Sequence, residues 1–244
     1  MSSQEVSLSS VTLKQYFYKL KAYSTLVNGL IILHIFALLI SLGGVSNIAS
    51  GNGELSLSIK YYSANIAIAF AFFWIFFVAI NLTTKQYKNW DFALVTNRVS
   101  SNLSNIGVLF SACVFGGLIS TLFSVLLRVV IYFTSDTSQI ILNGFYPAYT
   151  DLLLGIAIAI LYMLLIAAAG YFVGVLTQIN ILFALIIPAV IVGLTRVDYQ
   201  YAKNVLEFFI SEASPLLFVL KIIATSILLF GLSVLVSNRM EVEK

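Results

Sequence analysis

Long apolar runs separated by short polar stretches make up most of this chain. A transmembrane helix needs about 20 mostly apolar residues to cross a hydrocarbon core of about 30 Å. Six runs suit that purpose, although the fifth is short and carries Pro188. Proline is tolerated in a membrane helix when neighbouring helices satisfy the freed carbonyl. The pattern therefore predicts six spans, at residues 26–45, 64–82, 106–133, 152–176, 181–195 and 216–237.

Composition agrees with this pattern. Hydrophobic residues make up 60% of the chain and charged residues only 9%, whereas soluble proteins are roughly half apolar and a quarter charged. The single cysteine, Cys113, lies in the third run, so we expect neither an internal disulfide nor a thiolate metal site, and we assign no metal-binding residue. We predict an all-α membrane protein with three parts: a tail and interfacial helix (1–24), a six-span domain (25–237) and a second tail (238–244).

Lysine and arginine near the ends of the spans predict the orientation, because cytoplasmic loops carry an excess of them. One side holds only Lys60, Arg196 and Lys203, which nearby acidic residues offset. We therefore expect a multi-pass protein of the cell membrane with both termini in the cytoplasm. The basic residues on the predicted cytoplasmic side are Lys14, Lys19, Lys21, Lys85, Lys88, Arg98, Arg239 and Lys244.

Residues 11–24 have the period of an amphipathic helix. At 100° per residue, one arc holds the apolar positions and the opposite side holds the lysines. This pattern predicts a helix lying on the cytoplasmic leaflet, with lysines that reach anionic lipid. A disordered basic start before the first span is the alternative. The residues assigned to the interfacial helix are Leu13, Lys14, Phe17, Lys19, Leu20 and Lys21.

The polar stretch at 83–105, TTKQYKNWDFALVTNRVSSNLSN, lies between the second and third spans. As a helix, it places Tyr87, Trp90 and Leu94 on one face with charges around the rest. An aromatic and aliphatic cluster rimmed by charge is typical of a protein interface. The sequence therefore indicates a cytoplasmic partner. The alternative is a basic loop that satisfies the orientation rule, with Trp90 in the interfacial belt.

In layout the chain resembles the permease subunit of type-2 ATP-binding cassette (ABC) exporters. That family has an amphipathic cytoplasmic helix before the first span, a cytoplasmic helix between spans two and three, and six spans. Its loop commonly has an acidic residue, two or three aliphatic residues and a small-residue turn ending in serine. Here Asp91-Phe-Ala-Leu-Val-Thr96 and Asn97-Arg-Val-Ser-Ser101 occupy those places. The resemblance implies a coupling helix that docks on an ATPase, formed by Lys85, Tyr87, Lys88, Trp90, Asp91, Leu94 and Arg98.

The resemblance implies a dimer of permeases, identical or paralogous, with two separate ABC ATPase subunits. The chain has no phosphate-binding Gly-x-x-x-x-Gly-Lys-Ser/Thr motif. We therefore expect it not to be an enzyme and to bind no cofactor, with ATP and magnesium held by the partner ATPase. No nucleic-acid partner is expected. The spans carry no acidic ion relay, which disfavours a secondary transporter.

Apolar, aromatic-rich spans suggest an amphipathic or lipophilic cargo, such as a peptide, an antibiotic or a lipid-linked molecule. The competing hypothesis is a non-transporting membrane scaffold or sensor that recruits a cytosolic regulator through residues 83–105. A stable partner without ATPase activity would favour the second hypothesis over the first.

Other residues allow more than one interpretation. Residues 196–215 fit either short helices in the outer leaflet or a solvated connector. Arg128 either snorkels to the outer headgroups or lines a transport path. His34 is interpreted as a hydrogen bonder in helix packing. Gly170 and Gly174 predict a small-residue packing face, which suits an intrachain or a dimer contact.

Overall fold

The structure, a computed structural model, describes residues 8–22, 25–44, 46–52, 55–84, 97–134, 148–197, 199–212 and 214–239. Within them the elements in chain order are α1 (Leu8–Ala22), α2 (Thr25–Leu42), β1 (Ser46–Asn52), β2 (Leu55–Tyr61), α3 (Asn65–Thr83), α4 (Arg98–Thr134), α5 (Tyr149–Ile179), α6 (Phe183–Val197), α7 (Tyr199–Ile210) and α8 (Pro215–Arg239).

Four described helices, α3, α4, α5 and α8, are long and apolar enough to cross a membrane. The number rises to five if Leu8–Ala22 and Leu26–Leu42 count together as one broken span. At 15 residues, α6 is about 22 Å long, which is shorter than a hydrocarbon core of about 30 Å. A helix lies at each of the six predicted spans, but six crossings remain a prediction.

The described helices are apolar on the outside and partly polar on the inside. Buried serines include Ser41, Ser120 and Ser233, whereas large side chains such as Phe73 and Leu228 are exposed. A soluble protein rarely exposes this much contiguous apolar surface. Membrane helices instead pack through small residues and expose apolar side chains to lipid. This distribution supports the predicted helical, membrane-embedded fold.

The chain divides into two compact units, one of which comprises residues 25–74 and 114–163. A cluster of buried apolar side chains joins α2, α3 and α4 in this unit, and Trp74 donates a hydrogen bond to the Leu26 carbonyl at 3.0 Å. These contacts fix the second half of α4 against α2. The buried members of the cluster are Ala37, Ala67, Phe123, Leu127 and Ile131.

A β-hairpin in the same unit corrects the prediction of an all-α chain. Strands β1 and β2 are antiparallel, with Ser46 opposite Tyr61 and Asn52 opposite Leu55. The sequence carried the signal, because β2 reads LSLSIKY and alternates with a period of two residues. A strand of seven residues is much shorter than the apolar run of about 20 residues that marks a membrane span, so the pattern of apolar runs does not reveal it.

The other unit comprises residues 1–24, 75–113 and 164–244, of which the described parts include α1, α6, α7 and α8. Helix α8 buries one stripe of three serines and two large apolar side chains. Their spacing of three or four residues places them on one helical face. Within this stripe the Phe230 ring lies 5.9 Å from the Tyr171 ring of α5. The stripe consists of Ile222, Ser226, Phe230, Ser233 and Ser237.

Gly170 and Gly174 lie where α5 approaches α3 within this unit. A Cβ atom at Gly170 would stand 2.8 Å from the Phe76 carbonyl oxygen, and one at Gly174 would stand 3.0 Å from Ile80 Cα. The latter would also collide with the Thr83 side chain. Such distances exclude a larger residue unless a backbone shifts. Of the two contacts that the sequence left open, the structure shows one within the chain.

Candidate functional site

Helix α1 packs on the protein through a side that carries polar side chains. The side chains of Gln15 and Lys19 are only 2% and 1% exposed, whereas Leu13 and Phe17 are 58% and 60% exposed. Lys14 and Lys21 are exposed, and Leu20 is half-buried. A helix is present where one was predicted, whereas its position on the cytoplasmic leaflet stays a prediction. The expectation that Lys19 reaches lipid is not met. Lys19 turns inward because polar groups of α4 face it.

The ammonium group of Lys19 lies among oxygen atoms from the first turns of α4. Its Nζ donates hydrogen bonds to Asn105 Oδ1 at 2.6 Å and to Ser104 Oγ at 2.9 Å. It also lies 3.3 Å from both the carbonyl oxygen and Oγ of Ser101. A buried ammonium needs such acceptors, because losing its hydration costs on the order of several kcal/mol. The arrangement fixes the register of α1 along α4.

The hydrogen bonds continue from α4 to two more helices. Asn105 Nδ2 lies 3.5 Å from the Leu82 carbonyl oxygen of α3 and 3.4 Å from Tyr171 Oη of α5. Tyr171 in turn donates to Asn102 Oδ1 at 2.8 Å. Asn105 is therefore the residue at which α1, α3, α4 and α5 meet. We call the set Lys19, Ser101, Asn102, Ser104, Asn105 and Tyr171 the polar cluster.

Further polar contacts hold both flanks of residues 85–96, the part of the predicted coupling helix (about residues 84–96) that lies outside the described residues. At the end of α3, the side chain of Gln178 donates a hydrogen bond to the Thr83 carbonyl. At the start of α4, Arg98 Nη1 donates to the Ser237 carbonyl at 3.1 Å. The chain thus enters and leaves the predicted coupling segment through helix ends held by side-chain hydrogen bonds.

Of the residues predicted to form the coupling helix, the structure describes only Arg98, the first residue of α4. It brings Arg98 to the end of α8 rather than leaving it on an open surface. The other predicted coupling residues fall outside the described residues: Lys85, Tyr87, Lys88, Trp90, Asp91 and Leu94.

Two amide nitrogens near the polar cluster lack acceptors. Within the described part of the chain, Gln15 Nε2 and Asn102 Nδ2 are buried and donate no hydrogen bond, although both oxygens are engaged. A buried unsatisfied donor costs about 1–3 kcal/mol. The hydrogen-bonding capacity of these two side chains is therefore not fully used in this arrangement. A rearrangement that gave either amide an acceptor would recover part of that cost.

The sequence singled out Lys19 but missed the other members of the polar cluster. Asn102 and Asn105, three residues apart, share a helical face in a stretch interpreted only as the end of a loop. Tyr171 lies in an apolar run, where its hydroxyl needs a partner when buried. Paired asparagines and an interior tyrosine were the available signal.

His34 joins α2 to α4 in the unit that contains residues 25–74 and 114–163. Its Nδ1 lies 2.9 Å from the Leu30 carbonyl oxygen, and its Nε2 lies 3.2 Å from Ser120 Oγ. Because a carbonyl only accepts, Nδ1 carries the proton and Nε2 accepts from the serine. This is the helix-packing role expected from the sequence. Arg128, also on α4, is half-buried.

The segment predicted to connect spans five and six contains helix α7 and a clamp to α8. Lys221 forms an ion pair with Glu212, and its Nζ lies 4.2 Å from the centre of the Phe208 ring. The hydrogen bond and positive charge of Lys221 lower the pKa of Glu212 below its ordinary value of 4.5. On the exposed side of α7, Lys203 pairs with Glu207 at 3.5 Å. Of these contacts, those of Lys221 hold α7 against the start of α8.

In the described parts of the chain, no group of three or more histidine, cysteine, aspartate or glutamate side chains could hold a metal ion. The polar cluster itself offers hydrogen-bond acceptors around a buried cation. None of the protein families compared matches this chain, and no curated protein or solved structure matches it.

Proposed function

We propose that this chain is the permease subunit of an ATP-driven ABC exporter and works with a second permease, identical or paralogous, and separate ABC ATPase subunits. ATP and magnesium bind to the ATPases. Their closure pushes or pulls on residues 85–96, and the helices that flank this segment change access to a path for cargo. The sequence resemblance supplies this mechanism. The coupling residues are those predicted above, from Lys85 to Arg98.

The observation that carries the proposal is the attachment of both flanks of residues 85–96 to neighbouring helices. A force applied to this segment reaches the end of α3 and the start of α4 first. Through Asn105 and Lys19 it also reaches α1, and through Tyr171 and Gln178 it reaches α5. Hydrogen bonds of this kind suit force transmission because they are directional, unlike apolar contacts.

The unsatisfied amides of Gln15 and Asn102 support a joint that can rearrange. A switching element needs two arrangements whose free energies differ by roughly a few kcal/mol. Buried donors without acceptors lower the stability of this arrangement relative to any arrangement that pairs them. The same polar cluster can then hold α1 in both states while α4 shifts.

The apolar, aromatic-rich sequence of the spans suggests an amphipathic or lipophilic cargo. Such a cargo reaches a membrane path from the bilayer and needs few charged groups to hold it. Its chemical class is a peptide, an antibiotic or a lipid-linked molecule.

The test is purification of the tagged full chain from its native membranes in a mild detergent. We expect a polypeptide with a phosphate-binding ATPase motif to co-purify and to hydrolyse ATP. Trp90→Ala and Lys88→Glu should release it, because both residues belong to the predicted docking surface. Lys60→Glu is the matched control: it is the same charge reversal at an exposed lysine on the predicted outer side, and it should retain the partner.

Two results would overturn the proposal. One is a purified chain with no ATPase from membranes in which the chain is intact. The other is a stable partner that binds through Trp90 but does not hydrolyse ATP, which would favour the scaffold or sensor.

A further inference from the structure

The surface of α1 that does not touch the protein has two sectors. At 100° per residue, Leu13 and Phe17 lie 40° apart, and Lys21 and Lys14 follow within about 60° beyond Phe17. All four side chains are exposed. The buried side, marked by Lys19, lies on the far side of the helix. Helix α1 thus presents an apolar edge beside a basic edge.

Contacts with α4 place α1 beside the point along α4 at which its sequence changes from polar to apolar. Residues 98–105 of α4 read RVSSNLSN, and the apolar run starts at residue 106. Gln15 bonds to Ser100 at 3.3 Å on the polar side of this change. Tyr16 Oη lies 2.7 Å from Ser111 Oγ on its apolar side. Helix α1 therefore lies at the boundary between water and hydrocarbon.

The charges of α1 favour an anionic lipid over other occupants of this surface. Residues 8–22 contain three lysines and no acidic residue. Because Lys19 is engaged by the polar cluster, Lys14 and Lys21 are the cations left at the surface. They flank Phe17 at three and four residues, so all three lie together on the helix. Phosphate groups meet the basic edge, and acyl chains meet the apolar edge.

We propose that Lys14, Phe17 and Lys21 form a binding surface for anionic phospholipids, with the two ammonium groups on the headgroup phosphate and Phe17 among the acyl chains. This narrows the lipid-contacting lysines expected from the sequence to two. This lipid-binding proposal is independent of the proposed transport function, since it depends only on α1 and on its position along α4.

The test measures which lipid lies next to α1 in the intact protein. The full chain carries Cys113→Ala and Tyr18→Cys, and a fluorophore is attached at position 18, which lies between the two lysines. It is reconstituted in nanodiscs of phosphatidylglycerol and phosphatidylcholine, with only one of the two lipids brominated as a quencher. A lysine near an anionic surface gives about a fivefold preference. We expect phosphatidylglycerol to be enriched by about that factor or more.

Lys14→Gln with Lys21→Gln should reduce the preference to about one. Lys60→Gln with Lys203→Gln removes two exposed lysines elsewhere and should leave the preference unchanged. High salt should weaken the preference in the chain that keeps both lysines. Equal quenching by both lipids, or a preference that survives the loss of both lysines, would overturn the inference. Absence of quenching by either lipid would also overturn it, since a protein would then cover this surface.

Discussion

Lys19 Nζ lies 2.6 Å from Asn105 Oδ1, a contact that fixes α1 to α4 at the boundary between polar and apolar sequence. Lysine at the membrane boundary is commonly assigned to lipid headgroups. Lys19 instead binds protein groups, because it is on the side of α1 that faces Ser101 and Ser104. The other two lysines of α1 remain exposed. Helix α1 therefore buries one of its lysines and exposes the other two.

Asn105→Leu should destabilise the protein more than Lys19→Met. The leucine removes the shortest contact of a buried ammonium and the link to Tyr171, which costs about 2–4 kcal/mol. The methionine removes the charge together with its desolvation cost, so we expect a loss of only about 1 kcal/mol. Unfolding in mixed micelles measures the difference. Lys21→Met is the matched control, because the same substitution at an exposed lysine of α1 should have little effect.

The double variant Lys19→Met with Asn105→Leu should cost less than the sum of the two single changes. Without the ammonium, the leucine no longer removes an acceptor from a charge. Additive free energies of unfolding, within about 0.5 kcal/mol, would show that the two residues do not depend on each other.

Alanine substitutions at two glycines of α5 should show how much close packing, as distinct from helix propensity, affects the free energy of unfolding. Gly170→Ala brings a methyl group to 2.8 Å from the Phe76 carbonyl oxygen, so we expect a loss of about 1–3 kcal/mol. Gly174→Ala meets the backbone of Ile80 and should have a similar cost. Gly231→Ala is the control, since a Cβ atom there meets nothing within 4 Å. Equal stability of all three variants in mixed micelles would contradict the α3–α5 contact.

Sequence periodicity predicted much of this fold because membrane helices have simple requirements. Length and apolarity alone identified helices at each predicted span. The helical period of apolar and polar residues identified α1. The face on which α1 docks could not be predicted in this way. Amphipathicity separates the apolar positions of a helix from the charged ones, but it does not show that a buried polar network such as that of Asn105 engages one of the three lysines. Tertiary partners therefore decided the orientation of Lys19, and a single helix cannot reveal them.

The clamp between α7 and α8 should weaken in acid. Because the folded pKa of Glu212 lies below 4.5, its contribution to stability is complete above that pH. It is lost as the pH falls through the lowered value, where the carboxylate becomes protonated. Glu212→Gln should therefore be less stable than the wild type at neutral pH. Its melting temperature should also fall less as the pH is lowered into the acid range. Glu207→Gln, which removes an exposed pair, should follow the wild-type profile. If the melting temperature of Glu212→Gln fell in acid as steeply as that of the wild type, Glu212 would not be the group that weakens the clamp.

Thiol labelling should report which side of the membrane carries residues 85–96. The native thiol of Cys113 is buried, so Cys113→Ala gives a background in which one introduced cysteine supplies the signal. A membrane-impermeant maleimide added to intact cells should label Lys203→Cys, on the predicted outer segment, and should label Lys88→Cys only after permeabilisation. The reason is the excess of lysine and arginine that keeps the segment in the cytoplasm. If Lys88→Cys is labelled in intact cells while Lys203→Cys is protected, the orientation is reversed. A cytosolic ATPase could then not reach Trp90, and the proposed coupling would fail for that physical reason, whatever partner the chain binds.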